Sequence, residues 1–200
     1  MKRVLTLICL LAFAGTAFAQ FSLGFKQVEL PTLVDDDYMS TMDMNMLRIG
    51  TMASPQIRVE GYLGYAKDSF EYDEEGETYE YDGTAYTFGG GGYYIIAAPA
   101  NTSFSFGLQF LYGSTSSEMS AANVSVDGPS TSAWCLDPLM RIDFAIPGAE
   151  RLAFFTEFGG RYASATTTYE TVGGNDQEYN WSGMQTYSPA NILAGAYYVF

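Results

Sequence analysis

Asp143 and Glu157 each have an arginine at an even spacing, Arg141 two residues before the first and Arg161 four residues after the second. Two carboxylates in reach of one another can divide the work of general acid and general base. In an extended chain, however, side chains at even spacing share a face, so each acid stands beside a guanidinium. Neutralising ion pairs are the simpler reading of these four residues. The chain contains no histidine, the commonest general base, and no catalytic residue, cofactor or metal is expected.

A second concentration of charge is the acidic run DSFEYDEEGETYEYDG, which begins at Asp68. Clustered carboxylate oxygens suit Ca²⁺ or Mg²⁺. The run lacks a spaced loop with ligand and glycine positions, so a solvated, mutually repelling hairpin tip is favoured. Its alternation of Phe70, Tyr72, Tyr79 and Tyr81 with acids suggests that strands continue into it. The whole chain carries a formal charge of −14, which disfavours nucleic acid and other polyanions as partners.

The elements that would position these residues show a period of two. Ile57, Val59, Gly61, Leu63 and Tyr65 alternate with Arg58, Glu60, Tyr62, Gly64 and Ala66, and a like pattern runs from Phe104 to Gly113. Each such segment has about the length of a tilted strand crossing a bilayer, roughly 9–11 residues. Eight strands are expected, near 21–30, 43–53, 56–67, 85–97, 103–114, 132–145, 151–164 and 187–200. Three connections, ASPQ, APANT and IPGAE, are short and contain proline; the other four, 31–42, 68–84, 115–131 and 165–186, are long and polar. Strict alternation of short and long connections places all long loops at one end of an up-and-down structure, the asymmetry of transmembrane barrels.

Charge decides which face meets lipid. Met140, Ile142 and Phe144 share a face opposite Arg141 and Asp143, and Leu152, Phe154, Phe158 and Tyr162 oppose Glu157 and Arg161. A soluble barrel turns its apolar side chains inward, a membrane barrel outward. The membrane alternative leaves Lys26, Arg48, Arg58, Glu60, Arg141, Asp143, Glu157 and Arg161 to the lumen. Eight strands enclose an interior that side chains fill, so a paired network is favoured over a gate or an open pore. Five basic against three acidic groups leaves a positive excess inside. Tyr65, Tyr86, Tyr112, Trp134, Tyr162 and Tyr187 stand where an aromatic girdle would border the long loops, with Phe144, Tyr198 and Phe200 at the other border.

Lys2 and Arg3, the apolar run from Val4 to Ala14 and the Ala17-Phe18-Ala19 triplet read as a secretory signal peptide, 1–19, cleaved to leave a single barrel domain, 20–200. Cys135 is then the only cysteine, so no internal disulfide is available. The ending AGAYYVF places Gly195, Tyr198 and Phe200 in the pattern that resembles the C-terminal assembly signal of bacterial outer-membrane barrels. Leu193 departs from it, since a polar residue is usual there.

Together with the meander, these features resemble the small eight-stranded outer-membrane barrels of the OmpA, OmpX and OmpW type. The resemblance rests on pattern over 20–200 rather than on a catalytic motif. It implies an all-β, up-and-down antiparallel barrel in the bacterial outer membrane, with short periplasmic turns and four long extracellular loops. Outer-membrane lipid, lipopolysaccharide and the barrel-assembly machinery are the implied partners. Barrels of this kind that are enzymes rely on a histidine base, which this chain lacks.

The expected function is a structural or surface-interaction role carried by the loops, through an extracellular ligand or host protein, with Tyr179 and Trp181 as contact candidates among small polar residues. The alternative is a narrow transport protein for small or apolar solutes. The run FGGGGYY bears on that choice, either as a thin wall or as room for a tyrosine packed across glycine.

Overall fold

The computed structural model describes residues 21–35, 38–74, 77–121, 124–169, 176–186 and 193–200. The expected signal segment and Tyr187 lie outside these residues. Nine strands occupy the described chain: β1 (Phe21–Asp35), β2 (Tyr38–Ser54), β3 (Ile57–Glu74), β4 (Glu77–Ala97), β5 (Thr102–Ala121), β6 (Val124–Ile146), β7 (Ala149–Tyr169), β8 (Gln177–Thr186) and β9 (Leu193–Val199). Each is antiparallel to its neighbours.

The sheet closes on itself. β1 to β7 pair in chain order, and β7 then pairs with both β8 and β9, which occupy one wall position; β9 pairs back onto β1 from Lys26↔Gly195 to Ser22↔Val199. The result is a ring of eight strand positions, an up-and-down antiparallel barrel. Closure gives the backbone groups along the joined edges a partner, which a single apolar sheet in lipid would lack.

The short connections are as expected, with turns at Pro55–Gln56, around Ala100 and at Pro147–Gly148. The acidic run continues β3 and β4 as its alternation predicts, whereas the other long connections are not the loops that polarity suggested. Ser69↔Asp82, Glu71↔Glu80 and Asp73↔Thr78 keep β3 and β4 in register to Glu74↔Glu77, and β5 and β6 stay paired to Ala121↔Val124. β7 runs on to Tyr169, and Gln177–Thr186, expected as loop, is strand β8. Serine, threonine and tyrosine carry the pleat as well as apolar residues do once two neighbours already hold the register. Beyond the apolar band, β3 to β6 therefore rise as one continuous four-stranded sheet, about eight residues further at ~3.3 Å each.

The glycine run of β4 divides by face. Gly89 and Gly91 point inward, where the Tyr93 ring crosses to β5: a Cβ on Gly107 would lie 2.2 Å from the ring's Cδ1. Gly92, pointing outward, has nothing within 4 Å. Of the two readings of FGGGGYY, the packed tyrosine is the one observed.

Candidate functional site in the barrel lumen

Parity along each strand sets which side chains enter the lumen. Even positions of β1, β2 and β3 and odd positions of β4, β5, β6 and β7 face inward and are buried over most of the barrel's height. The opposite positions form an apolar belt: Ile57, Val59, Leu63, Phe88, Phe104, Phe106, Leu108, Phe110, Leu136, Met140 and Phe154 are all exposed. A closed barrel that hides charge and displays phenylalanine has its solvents inverted relative to a water-soluble one.

The structure places all eight charged residues singled out above on the inner face, each at most 8 % exposed. They form one connected set. Nearest the short turns, Arg58 Nη1 donates to both Asp143 oxygens at 2.9 and 3.0 Å. Arg141 is the hub: its Nε and Nη2 donate to Asp143 Oδ1 at 2.9 and 2.6 Å, and its Nη1 to Glu60 at 2.9 and 3.0 Å and to Glu157 at 3.5 Å. Its guanidinium also lies 3.8 Å from the centre of the Phe155 ring. Arg48 pairs with Glu60, and Lys26 with Glu157.

Neutral groups tie these pairs together. The Tyr62 hydroxyl donates to Glu60 Oε2 at 2.6 Å and the Tyr93 hydroxyl to Glu157 Oε1 at 2.8 Å, with the two hydroxyls 3.0 Å apart. Gln109 accepts from Lys26 and donates to Asp137 Oδ2 at 2.9 Å. Arg161 closes the upper edge of the set with a two-pronged bond to Asp137, 2.8 Å from Nε and 2.7 Å from Nη2, and with a third bond to the Glu29 carbonyl. Charge-assisted bonds of this density satisfy ions that burial would otherwise expel.

Above the ions the lumen turns apolar. Val28, Met44, Met46, Leu111, Cys135 and Ala163 form a buried cluster reached by Trp181, and Tyr179 and Trp181 close over Ala133 and Ala165. The lumen is therefore stoppered twice, by ion pairs in its lower part and by hydrocarbon above.

An outer belt of hydrocarbon around a paired ionic interior suits one solvent. The chain is an eight-stranded transmembrane β-barrel. Toward the long-connection end of the belt, Tyr65 pairs with Tyr86 and Tyr112 with Trp134, while ring centroids lie 5.3 Å apart for Phe88 and Tyr112 and 5.4 Å for Trp134 and Tyr162. At the opposite border Tyr198 and Phe200 point outward with ring centroids 5.2 Å apart, and Phe200 reaches Phe21 at 5.8 Å. Gly195, by contrast, faces inward under the Phe155 ring.

No protein-family model matches the barrel's sequence, and no curated protein matches it significantly. Among solved structures, it is similar to Ail, the attachment invasion locus protein of Yersinia pestis, at 13 % identity, 92 % coverage of this chain, 99 % of that one and a TM-score of 0.49. It is also similar to a major outer membrane protein of Thermus thermophilus, at 16 % identity, 90 % and 98 % coverage and a TM-score of 0.46.

A charge introduced into the belt reports on this inversion. Leu108→Arg, at an exposed position between Phe106 and Phe110, is expected to destabilise the barrel by about 2–4 kcal/mol in bilayers, as a cation at midplane depth does. Urea titration of the refolded variant in vesicles measures it; in a soluble barrel the same change at a solvent-exposed site would stay within about 0.5 kcal/mol.

Two expectations about side chains are corrected. Tyr179 and Trp181, placed by sequence in a contact loop, are inward positions of β8, because the register Thr167↔Tyr179 and Ala165↔Trp181 gives them the inward parity of β7. The lumen also holds a fourth acid: with Asp137, five basic residues face four acidic ones among the described residues. Asp137 was legible, since it lies six residues before Asp143 and so on the same face of an extended chain. Pro138 beside it interrupts the pairing with β7, which skips from Leu136↔Tyr162 to Leu139↔Gly159. Tyr62 shared that signal, two residues after Glu60 on the same face, whereas Tyr93 and Tyr197 gave none, being a type found on either face.

Proposed function

We propose that this protein is an integral barrel of the bacterial outer membrane with a non-enzymatic, structural or surface-interaction role, and that its lumen is a plug rather than a path. The single observation that supports this reading is the double stopper: inward ions are paired with one another, and an apolar cluster stands between them and the long-loop end. A conducting filter needs ions that can exchange partners with solute, and here each exchange would strand a buried charge.

Interaction then falls to the part of the sheet that stands above the girdle. Its described face is acidic: Glu71, Glu80, Asp82 and Glu118 are exposed, with Lys67 paired to Asp82 at 3.3 Å. Hydrogen bonds from Ser69 and Lys67 hold the Asp82 carboxyl below the usual carboxylate range, so it stays ionised in mildly acidic surroundings. A partner for this surface carries positive charge, as a basic protein segment or a cation-rich lipid layer does. Signal-directed export, insertion by the barrel-assembly machinery through Gly195, Tyr198 and Phe200, and contact with lipopolysaccharide belong to the same reading.

Single-channel recording tests it. Refolded barrel, identified by a gel shift between boiled and unboiled samples, should be silent in a planar bilayer. Replacing 68–82 by a short turn should keep the shift and the silence while removing partner binding. Reproducible openings altered by Glu157→Gln would instead make the protein a narrow transporter.

A further inference from the structure

We infer that the short-turn mouth of the barrel is a binding site for a small oxyanion, a carboxylate or phosphate group held by Arg58. A recess with about 50 Å³ of free space opens there, lined by Ser22, Thr51, Met52, Arg58, Tyr197 and Val199. That volume admits a few waters or one group of carboxylate or phosphate size. No acidic side chain is among its described walls.

Arg58 has spent one end of its guanidinium. Nη1 carries both bonds to Asp143, whereas Nε and Nη2 make no hydrogen bond among the described residues. Asp143 cannot neutralise it alone, since that carboxylate also accepts from Arg141, Ser103 and Tyr197. The charge count agrees: the described lumen holds five cations against four carboxylates, and Arg58 is the cation at the recess. Nε and Nη2 of an arginine form the fork that two oxygens of one oxyanion match.

The other walls limit what enters. Ser22 Oγ already accepts from Arg48 at 3.1 Å and bonds the Gly50 carbonyl, and the Tyr197 hydroxyl is given to Asp143. Thr51 adds a buried hydroxyl without a partner among the described residues. Met52 and Val199 supply an apolar wall, which suits an anion with a short hydrocarbon or ester body. The recess lies at the border of the lipid belt marked by Tyr198 and Phe200, so the oxyanion is either a lipid headgroup phosphate or a soluble one; the chemistry is shared.

The test uses residues 20–200, refolded with ¹⁵N-arginine in a neutral maltoside detergent, and titrated separately with inorganic phosphate, acetate and a short-chain phosphatidylglycerol. The expected result is a saturable shift of the Arg58 Nε–H resonance, with that of Arg161 unmoved. Arg58→Lys, followed through the Tyr197 ring, should weaken binding at least about tenfold. Met52→Glu, which installs a resident carboxylate beside Arg58, should weaken it as much and does not depend on the Arg58 variant folding. A response to phosphate or acetate identifies a soluble oxyanion, and a response to the lipid alone identifies a headgroup. No saturable shift with any of the three, or a shift unchanged in Met52→Glu, overturns the site.

Discussion

Arg141→Met is expected to lower the unfolding free energy of the barrel by about 3–5 kcal/mol, the loss typical when one partner of a buried ionic set is removed. Methionine replaces most of the volume, so the effect is electrostatic rather than a cavity. Glu60 and Asp143 each lose bonds of 3.0 Å or less, and the Phe155 ring loses the cation stacked on it. Urea titration in vesicles, read by the gel shift, measures it. Adding Glu60→Gln and Asp143→Asn removes the stranded charges and should recover part of the loss. A single Arg141→Met variant as stable as the parent would mean that water reaches the lumen and that the stopper is open.

Gly24→Ala should prevent or severely weaken closure of the ring. A Cβ at Gly24 would lie 2.0 Å from the Ala196 carbonyl oxygen and 2.6 Å from the Tyr197 Cα, both backbone atoms of β9, so no rotamer change relieves it. Among the described residues β9 meets β1 over five registered pairs, Ser22↔Val199 to Lys26↔Gly195, and Gly24↔Tyr197 is the middle one. The expected effect is at least about 3 kcal/mol, the upper end of the overpacking range, with loss of the unboiled band. Gly92→Ala, at an open outward position, should be neutral to within about 0.5 kcal/mol. Equal effects of the two substitutions would show that strand propensity, and not the closing contact, governs these positions.

These two sites differ in how far the sequence announces them. Arg141 was readable because charge at period two between Met140, Ile142 and Phe144 has one good explanation, and the same parity located the belt and the charged lumen. Tyr93 and Tyr197 were not readable, because a tyrosine suits a girdle and a lumen equally. What admits the Tyr93 ring is missing volume at Gly107 and Gly91, and that pairing across strands exists only once the register is set. Strand length failed for a different reason. Hydrophobic alternation ends where lipid ends: the acidic run keeps a mark in Phe70, Tyr72, Tyr79 and Tyr81, but Thr115 to Ser120 and Ser125 to Thr131 carry no alternation although they pair. Trp181 was misplaced by the same polar neighbourhood.

The bonds inside the wall also join strands that are not neighbours. Lys26 of β1 and Gln109 of β5 stand half a circumference apart, and Arg58 and Arg141 link β3 with β6. They act as spokes. A hollow cylinder squeezed by its surroundings flattens easily, but one braced across its diameter keeps a round section until a spoke breaks. The spacing of the hairpins it carries is thereby insulated from lateral pressure and from changes in bilayer thickness.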